Sequence, residues 1–188
     1  RTGLGGSGKQ KGSLVAEDRF RFDLSHPRPL GEDDIAAIEV EVNEEIRANE
    51  QVGTRLMTPD DAVAAGALAL FGEKYGDEVR VLSMGRTVGE GRNYSVELCG
   101  GTHVKATGDI GLFKIVSESA VSSGVRRIEA LTGEAARKWL VARDEAVRLI
   151  AGARKTSPDE APARVPAWLS YPSGAAHAEE CRALSARR

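Results

Sequence analysis

The sequence is short of the residues that staple a chain or carry it through a bilayer. Among 188 residues there are two cysteines, Cys99 and Cys181, too few for a disulfide framework. A reducing, cytoplasmic setting is therefore the expectation. Apolar runs extend for only a few residues, which excludes a membrane-spanning helix of about 20 residues. The Gly-, Lys-, Gln- and Ser-rich start has no apolar stretch of the kind a signal peptide needs. Charge of one sign is also missing: 26 Lys+Arg face 28 Asp+Glu, a net charge of −2 with a pI near 6.0. That excludes a generally basic nucleic-acid coat and leaves room for a local basic patch. Met57 and Met84 are the only methionines, and the chain begins at Arg1. The expectation is a processed protein or a part of something longer.

The length suits one domain with an appendage. Residues 1–12 read as loop. Leu14–Val15, a Glu17–Asp18 turn and the alternating Arg19–Leu24 predict a hairpin. Ile35, Ile38, Val42 and Ile46 form one apolar stripe and predict a helix over 32–49, with Glu32, Asp33 and Asp34 at its positive end. A short strand over Val52–Met57 precedes Thr58-Pro59-Asp60-Asp61, which opens a second helix over about 60–70. Asp77–Ser83 and Asn93–Leu98 read as strands. Phe113–Val121 and Val125–Leu131 read as a hairpin around Ser122-Ser123-Gly124. A long helix follows from Gly133 to about Lys155, with Leu140, Val147 and Ile150 on its apolar side. Pro158, Pro162 and Pro166 then suggest an irregular or disordered tail over 158–188. The fold class is α+β, a mostly antiparallel sheet with packed helices followed by a C-terminal helical arm. The divisions fall at 1–132, 133–157 and 158–188.

Gly3-Leu4-Gly5-Gly6-Ser7-Gly8-Lys9 has the spacing of a phosphate-binding loop, but Gln10 stands where a magnesium-holding Ser or Thr belongs. Cys99-Gly100-Gly101-Thr102-His103 is more informative. Thiolate and imidazole are preferred zinc donors, and the glycines let the backbone turn both toward one ion. One Cys-x-x-x-His supplies half of a tetrahedral site, and a buried free cysteine beside an unrelated histidine fits the spacing equally well. By composition Gln10-Lys11-Gly12-Ser13 is a polar turn before a strand. Arg126 and Arg127 lie adjacent on a predicted strand: inward pairing with a carboxylate is the commoner use, phosphate contact the functional one. His26, before Pro27, reads as a capping or packing residue.

Taken together, Gln10-Lys11-Gly12-Ser13-Leu14-Val15, Arg21-Phe22-Asp23-Leu24-Ser25-His26-Pro27, Ala69-Leu70-Phe71-Gly72-Glu73-Lys74-Tyr75-Gly76, Val96-Glu97-Leu98-Cys99-Gly100-Gly101-Thr102-His103-Val104 and Gly124-Val125-Arg126-Arg127-Ile128-Glu129-Ala130 resemble the alanyl-tRNA synthetase family in its editing region. The resemblance runs from about Lys9 to Arg154. It implies a partial editing domain over 1–132 and a coiled-coil-like arm over 133–157. It also implies an enzyme that loads alanine on its tRNA with ATP and Mg2+ in a catalytic domain this sequence lacks. The editing region hydrolyses wrongly attached serine or glycine at a zinc site. Cys99 and His103 are then zinc ligands, with Gln10 a catalytic-pocket residue near the scissile ester and Arg126 and Arg127 tRNA-binding. The expected partners are the acceptor end of tRNA(Ala) and the rest of the synthetase chain, with neither membrane nor DNA.

The sequence departs from the family in lacking the H-x-x-x-H pair that would complete the zinc site, which the family carries upstream of the Gln-Lys-Gly-Ser stretch. Its three histidines, His26, His103 and His177, are nowhere four apart. Three readings follow: a portion of the synthetase, a free-standing deacylase acting in trans on mischarged tRNA, and a non-catalytic tRNA-binding remnant.

Overall fold

Period-two alternation of apolar and polar side chains builds two antiparallel sheets. The computed structural model describes residues 10–16, 19–67, 77–85 and 93–169. Outside the described residues lie the glycine-rich stretch up to Lys9, the Glu17–Asp18 turn, the segment Ala69–Gly76, and His177 and Cys181. In chain order the elements are β1 (Gln10–Val15), β2 (Phe20–Ser25), α1 (Glu32–Ala48), β3 (Gly53–Met57), α2 (Pro59–Ala64), β4 (Val79–Met84) and β5 (Ser95–Leu98). A 3-10 turn (Thr107–Ile110), β6 (Phe113–Ser122), β7 (Val125–Thr132), α3 (Gly133–Ala153) and α4 (Ala161–Leu169) follow. The mix of helices and antiparallel strands is the expected α+β class.

The first sheet runs β1-β2-β7-β6, with every neighbouring pair antiparallel. Gly124, at φ 71°, closes the β6–β7 hairpin in the left-handed region that a side chain disfavours. One face of this sheet buries Leu24, Ile115, Ile128 and Ala130 together with Leu30, and Ile35 and Ile38 of α1 pack against them. Leu24 is 1% exposed, and burying a side chain of that size stabilises by about 1.5–3 kcal/mol. The reading of residues 10–12 as loop is corrected: Gln10 already pairs with Leu24, and the ladder shifts register between Gln10 and Gly12. A polar stretch becomes strand there because a partner strand supplies its hydrogen bonds, which composition does not reveal.

Helix α1 starts at Gly31, whose amide donates to Asp34 Oδ2 at 3.0 Å, and stops at Asn49, which takes φ 53°. Its polar side chains close the free edge of β6. Asn43 Nδ2 donates to the Phe113 carbonyl at 2.9 Å, and Phe113 N donates to Asn43 Oδ1 at 2.9 Å. Glu39 accepts from Ile115 N at 2.7 Å and holds Lys114 Nζ at 2.8 Å. An edge strand left open is a template for unwanted pairing, and here helix side chains occupy it.

The second sheet runs β3-β4-β5. Val79, Val81 and Leu98 bury one face with Ala62 and Ala67, and Met57 and Val96 pack at its margin. Thr58 caps α2 by accepting from Asp61 N at 3.2 Å. The helix ends at Ala64, short of the expected 70, and Gly66 turns the chain at φ 81°.

The chain divides into compact units Arg1–Lys138 and Trp139–Arg188, with α3 running through the division. In the second unit Arg143 stacks 4.8 Å from the Trp139 ring centroid, and Val147, Leu149 and Ile150 are exposed. The expected irregular tail is corrected in part, because α4 forms over Ala161–Leu169. Ser157-Pro158-Asp159-Glu160 is a helix-opening pattern like Thr58-Pro59-Asp60-Asp61: Ser157 Oγ accepts from Glu160 N at 3.3 Å. Pro158 falls in the opening turn, where a helix has no intrahelical use for its amide, so it starts the helix rather than breaks it. Among the described residues no helix is long and apolar enough to cross a membrane.

Candidate functional site

Strand alternation sets the geometry around Cys99. Val79, Val81 and Leu98 face the core of the second sheet, so Arg80 and Cys99, one residue on from each, belong to its other face. Val81 pairs with Leu98, and Cys99 N continues the ladder one step past β5 by donating to the Arg80 carbonyl at 3.1 Å. The loop is anchored again downstream. Val52 N donates to the Lys105 carbonyl at 2.9 Å, Gln51 bridges Ala106, and Thr107 N donates to the Glu50 carbonyl at 2.9 Å. Residues 99–105 are thus a short bridge between β4 and the Glu50–Val52 segment.

Within this bridge the two predicted donors come together. A Cβ built on Gly101 would stand 3.5 Å from His103 Nε2 and 3.7 Å from Cys99 Sγ. Thiol and imidazole therefore both lie within contact distance of the bare side of Gly101, Cys99 half-buried and His103 exposed. The donor chemistry fits a zinc-class ion as half of a tetrahedral set. Among the described residues no group of three or more His, Cys, Asp and Glu gathers around a common point. Beside the pair lies an open cavity of about 480 Å³, lined by His103, Thr102, Arg80, Lys105, Gln51 and Thr54 among others.

Gln10 does not line that cavity. It sits at the start of β1, where its Nε2 donates to Ser13 Oγ at 3.1 Å. Arg126 and Arg127 point to opposite faces of β7. Arg126 makes a bidentate pair with Glu118 of β6 at 2.5 and 2.6 Å, with side chains only 14% and 9% exposed. Arg127 makes the same fork with Asp23 of β2, directly opposite, at 2.7 and 2.8 Å. The hydrogen bond from Arg126 is the main cause holding Glu118 below the usual carboxylate range, as that from Arg127 is for Asp23; burial opposes both. His26 is buried, and its Nδ1 lies 2.8 Å from the Arg28 carbonyl.

Sequence reasoning missed Arg80. Its Nε donates to the Cys99 carbonyl at 3.2 Å, and a second guanidinium nitrogen donates to the Gly100 carbonyl. The Val79-Arg80-Val81 alternation shows only that Arg80 leaves the core. The register that sets it beside Cys99 is tertiary. A second group, Glu45 of α1, keeps Oε2 buried without a hydrogen bond. Burial first, then the negative charges of Glu41, Glu50 and Glu44, raise its pKa.

Residues 79–129, from the start of β4 into β7, match the family described as the threonyl and alanyl tRNA synthetase second additional domain. The chain is similar to the alanine–tRNA ligase of Sphingopyxis alaskensis, 74% identical over 165 residues, which is 88% of this chain and 18% of that protein. It is 69% identical over 167 residues to the alanine–tRNA ligase of Rhizorhabdus wittichii, covering 88% of this chain and 19% of that protein. The corresponding protein of Parvibaculum lavamentivorans is 61% identical over 164 residues, 86% of this chain and 18% of its own length. The chain thus spans 18–19% of the length of these curated relatives.

Proposed function

We propose an editing role for this chain, whose residues 79–129 match the second additional domain of threonyl and alanyl tRNA synthetases and which is similar to alanine–tRNA ligases over most of its length. The reaction is hydrolysis of the ester that joins serine or glycine wrongly to tRNA(Ala), within a cytoplasmic enzyme that charges the tRNA with alanine. A pocket shaped for alanine discriminates poorly against such neighbours, because one group's worth of steric or apolar selectivity amounts to about 1–3 kcal/mol. A second, hydrolytic site supplies the rest. Alanine activation with ATP and Mg2+ falls to other parts of the longer polypeptide.

The observation that carries this reading is the placement of Cys99 Sγ and His103 Nε2 on one side of Gly101 beside the cavity. Cys99 and His103 would hold a zinc ion, with further donors from the longer polypeptide. When bound, zinc supplies Lewis-acid chemistry at an ester or orients water. The cations Arg80 and Lys105 on the same cavity suit the phosphates of a tRNA end. Gln10 keeps its proposed place near the ester only if parts of the protein beyond the described residues bring it there. For Arg126 and Arg127, contact with tRNA must compete with Glu118 and Asp23.

Deacylation of labelled seryl-tRNA(Ala) by the longer synthetase polypeptide tests the proposal. Cys99→Ala and His103→Ala are expected to abolish seryl release while leaving alanine charging intact. Cys181→Ala is expected to do neither. Full seryl release by Cys99→Ala would overturn the assignment.

A further inference from the structure

We propose that Arg80 is a positioning residue that sets the Cys99–His103 pair before any metal arrives. This rests on the reading of Cys99 and His103 as metal ligands. Three hydrogen bonds tie Arg80 to the loop: Cys99 N to the Arg80 carbonyl, Arg80 Nε to the Cys99 carbonyl, and a second guanidinium nitrogen to the Gly100 carbonyl. Residue pairing between β4 and β5 ends at Val81 and Leu98, and the last ladder bond is that from Cys99 N to the Arg80 carbonyl. Beyond it, among the described residues, the carbonyls of Cys99 and Gly100 accept from no strand amide, and the guanidinium takes that place.

The need for such a clamp follows from the glycines. Gly100 and Gly101 leave the backbone between the two donors freer than any other dipeptide would. That freedom lets Sγ and Nε2 approach one point, and the same freedom disperses them when nothing restrains the backbone. A planar guanidinium presents adjacent N–H groups in a rigid fork and can fix two successive carbonyls at once. Lysine, a single rotating point charge, cannot hold both in one geometry. Arg80 also lines the cavity beside His103, so the clamp and the imidazole donor share one surface. Groups that orient metal ligands from behind typically change metal affinity about 10–100-fold when removed.

The test uses Arg80→Met and Arg80→Lys in two settings: the 188-residue chain for hydrogen exchange, and the longer synthetase polypeptide, which supplies the further donors, for metal. Without metal, exchange of the Cys99 amide, which donates to the Arg80 carbonyl, is expected to accelerate in Arg80→Met and less in Arg80→Lys, with Val81 and Leu98 unchanged. With Co2+, the thiolate-to-cobalt absorption band reports Cys99 ligation, and Cys99→Ser is expected to erase it. The cobalt dissociation constant is expected to rise about 10–100-fold in Arg80→Met and to fall between the two in Arg80→Lys. If Arg80→Met loosens the whole sheet, Arg80→Lys decides. Wild-type exchange together with wild-type cobalt affinity in that variant overturns the proposal. A wild-type polypeptide with no cobalt band refutes the metal reading, and loop exchange alone then decides the clamp.

Discussion

Replacing Asn43 with alanine is expected to cost about 2 kcal/mol, and the structure gives the reason. The Asn43 amide meets the Phe113 peptide as a strand neighbour would, donating to its carbonyl and accepting from its amide, each at 2.9 Å. Alanine removes both bonds. A typical hydrogen bond contributes about 1 kcal/mol net, and the partial burial of this pair limits rescue by water. With a urea dependence of roughly 1–3 kcal/mol per M, the unfolding midpoint falls by roughly 1 M. Asn43→Asp is the sharper variant. It keeps an acceptor for Phe113 N but turns a carboxylate toward the Phe113 carbonyl and toward the Glu39 carbonyl that Asn43 Nδ2 also reaches at 2.7 Å. At pH 7 it is expected to be less stable than Asn43→Ala, and at pH 3, with the carboxyl protonated, to match or exceed it. Urea titrations at both pH values read this directly. A loss below about 0.5 kcal/mol in Asn43→Ala, or pH-independent behaviour in Asn43→Asp, would refute the claim that this amide substitutes for a strand.

Arg126→Met is expected to flatten the acid limb of the stability curve. Glu118 is held below its ordinary value by Arg126, so its contribution is present above the unfolded carboxylate range and is lost as pH falls through the folded value. Identical limbs in variant and wild type, with weakened tRNA binding, would make Arg126 an RNA contact instead. Glu45→Gln should raise the melting temperature at pH 7 and leave it unchanged at pH 3. Its raised pKa means that the stability of the neutral form is present at low pH and is lost as pH rises through the folded value; equal shifts at both pH values would contradict this. Gly101→Val crowds the side on which Cys99 Sγ and His103 Nε2 both lie, and is expected to weaken cobalt binding. Unchanged cobalt affinity would show that the donors meet elsewhere.

The two adjacent arginines show why a motif and its use separate. Val125-Arg126-Arg127-Ile128 reads more commonly as ion pairing, with phosphate contact as the functional alternative. What selects pairing in this structure is the position of β7 between β2 and β6, which brings Asp23 and Glu118 within reach. The prolines after Lys155 show the converse. Counted as breakers they hid α4, whereas the Ser157-Pro158-Asp159-Glu160 order carried the helix start.

By itself the sequence determined the elements whose cause is local. The stripe of Ile35, Ile38, Val42 and Ile46 made α1, Thr58-Pro59 opened α2, and Gly124 turned the β6–β7 hairpin. That Cys99 and His103 lie close about Gly101 was legible because their spacing lies within one loop, where covalent reach limits the geometry. Tertiary structure alone decided that Gln10 lies in a strand, that Asn43 and Glu39 close the edge of β6, and that Arg80 stands behind Cys99. Each of these depends on register between segments far apart in the chain. Register is fixed by which faces are buried together, and no local pattern records it.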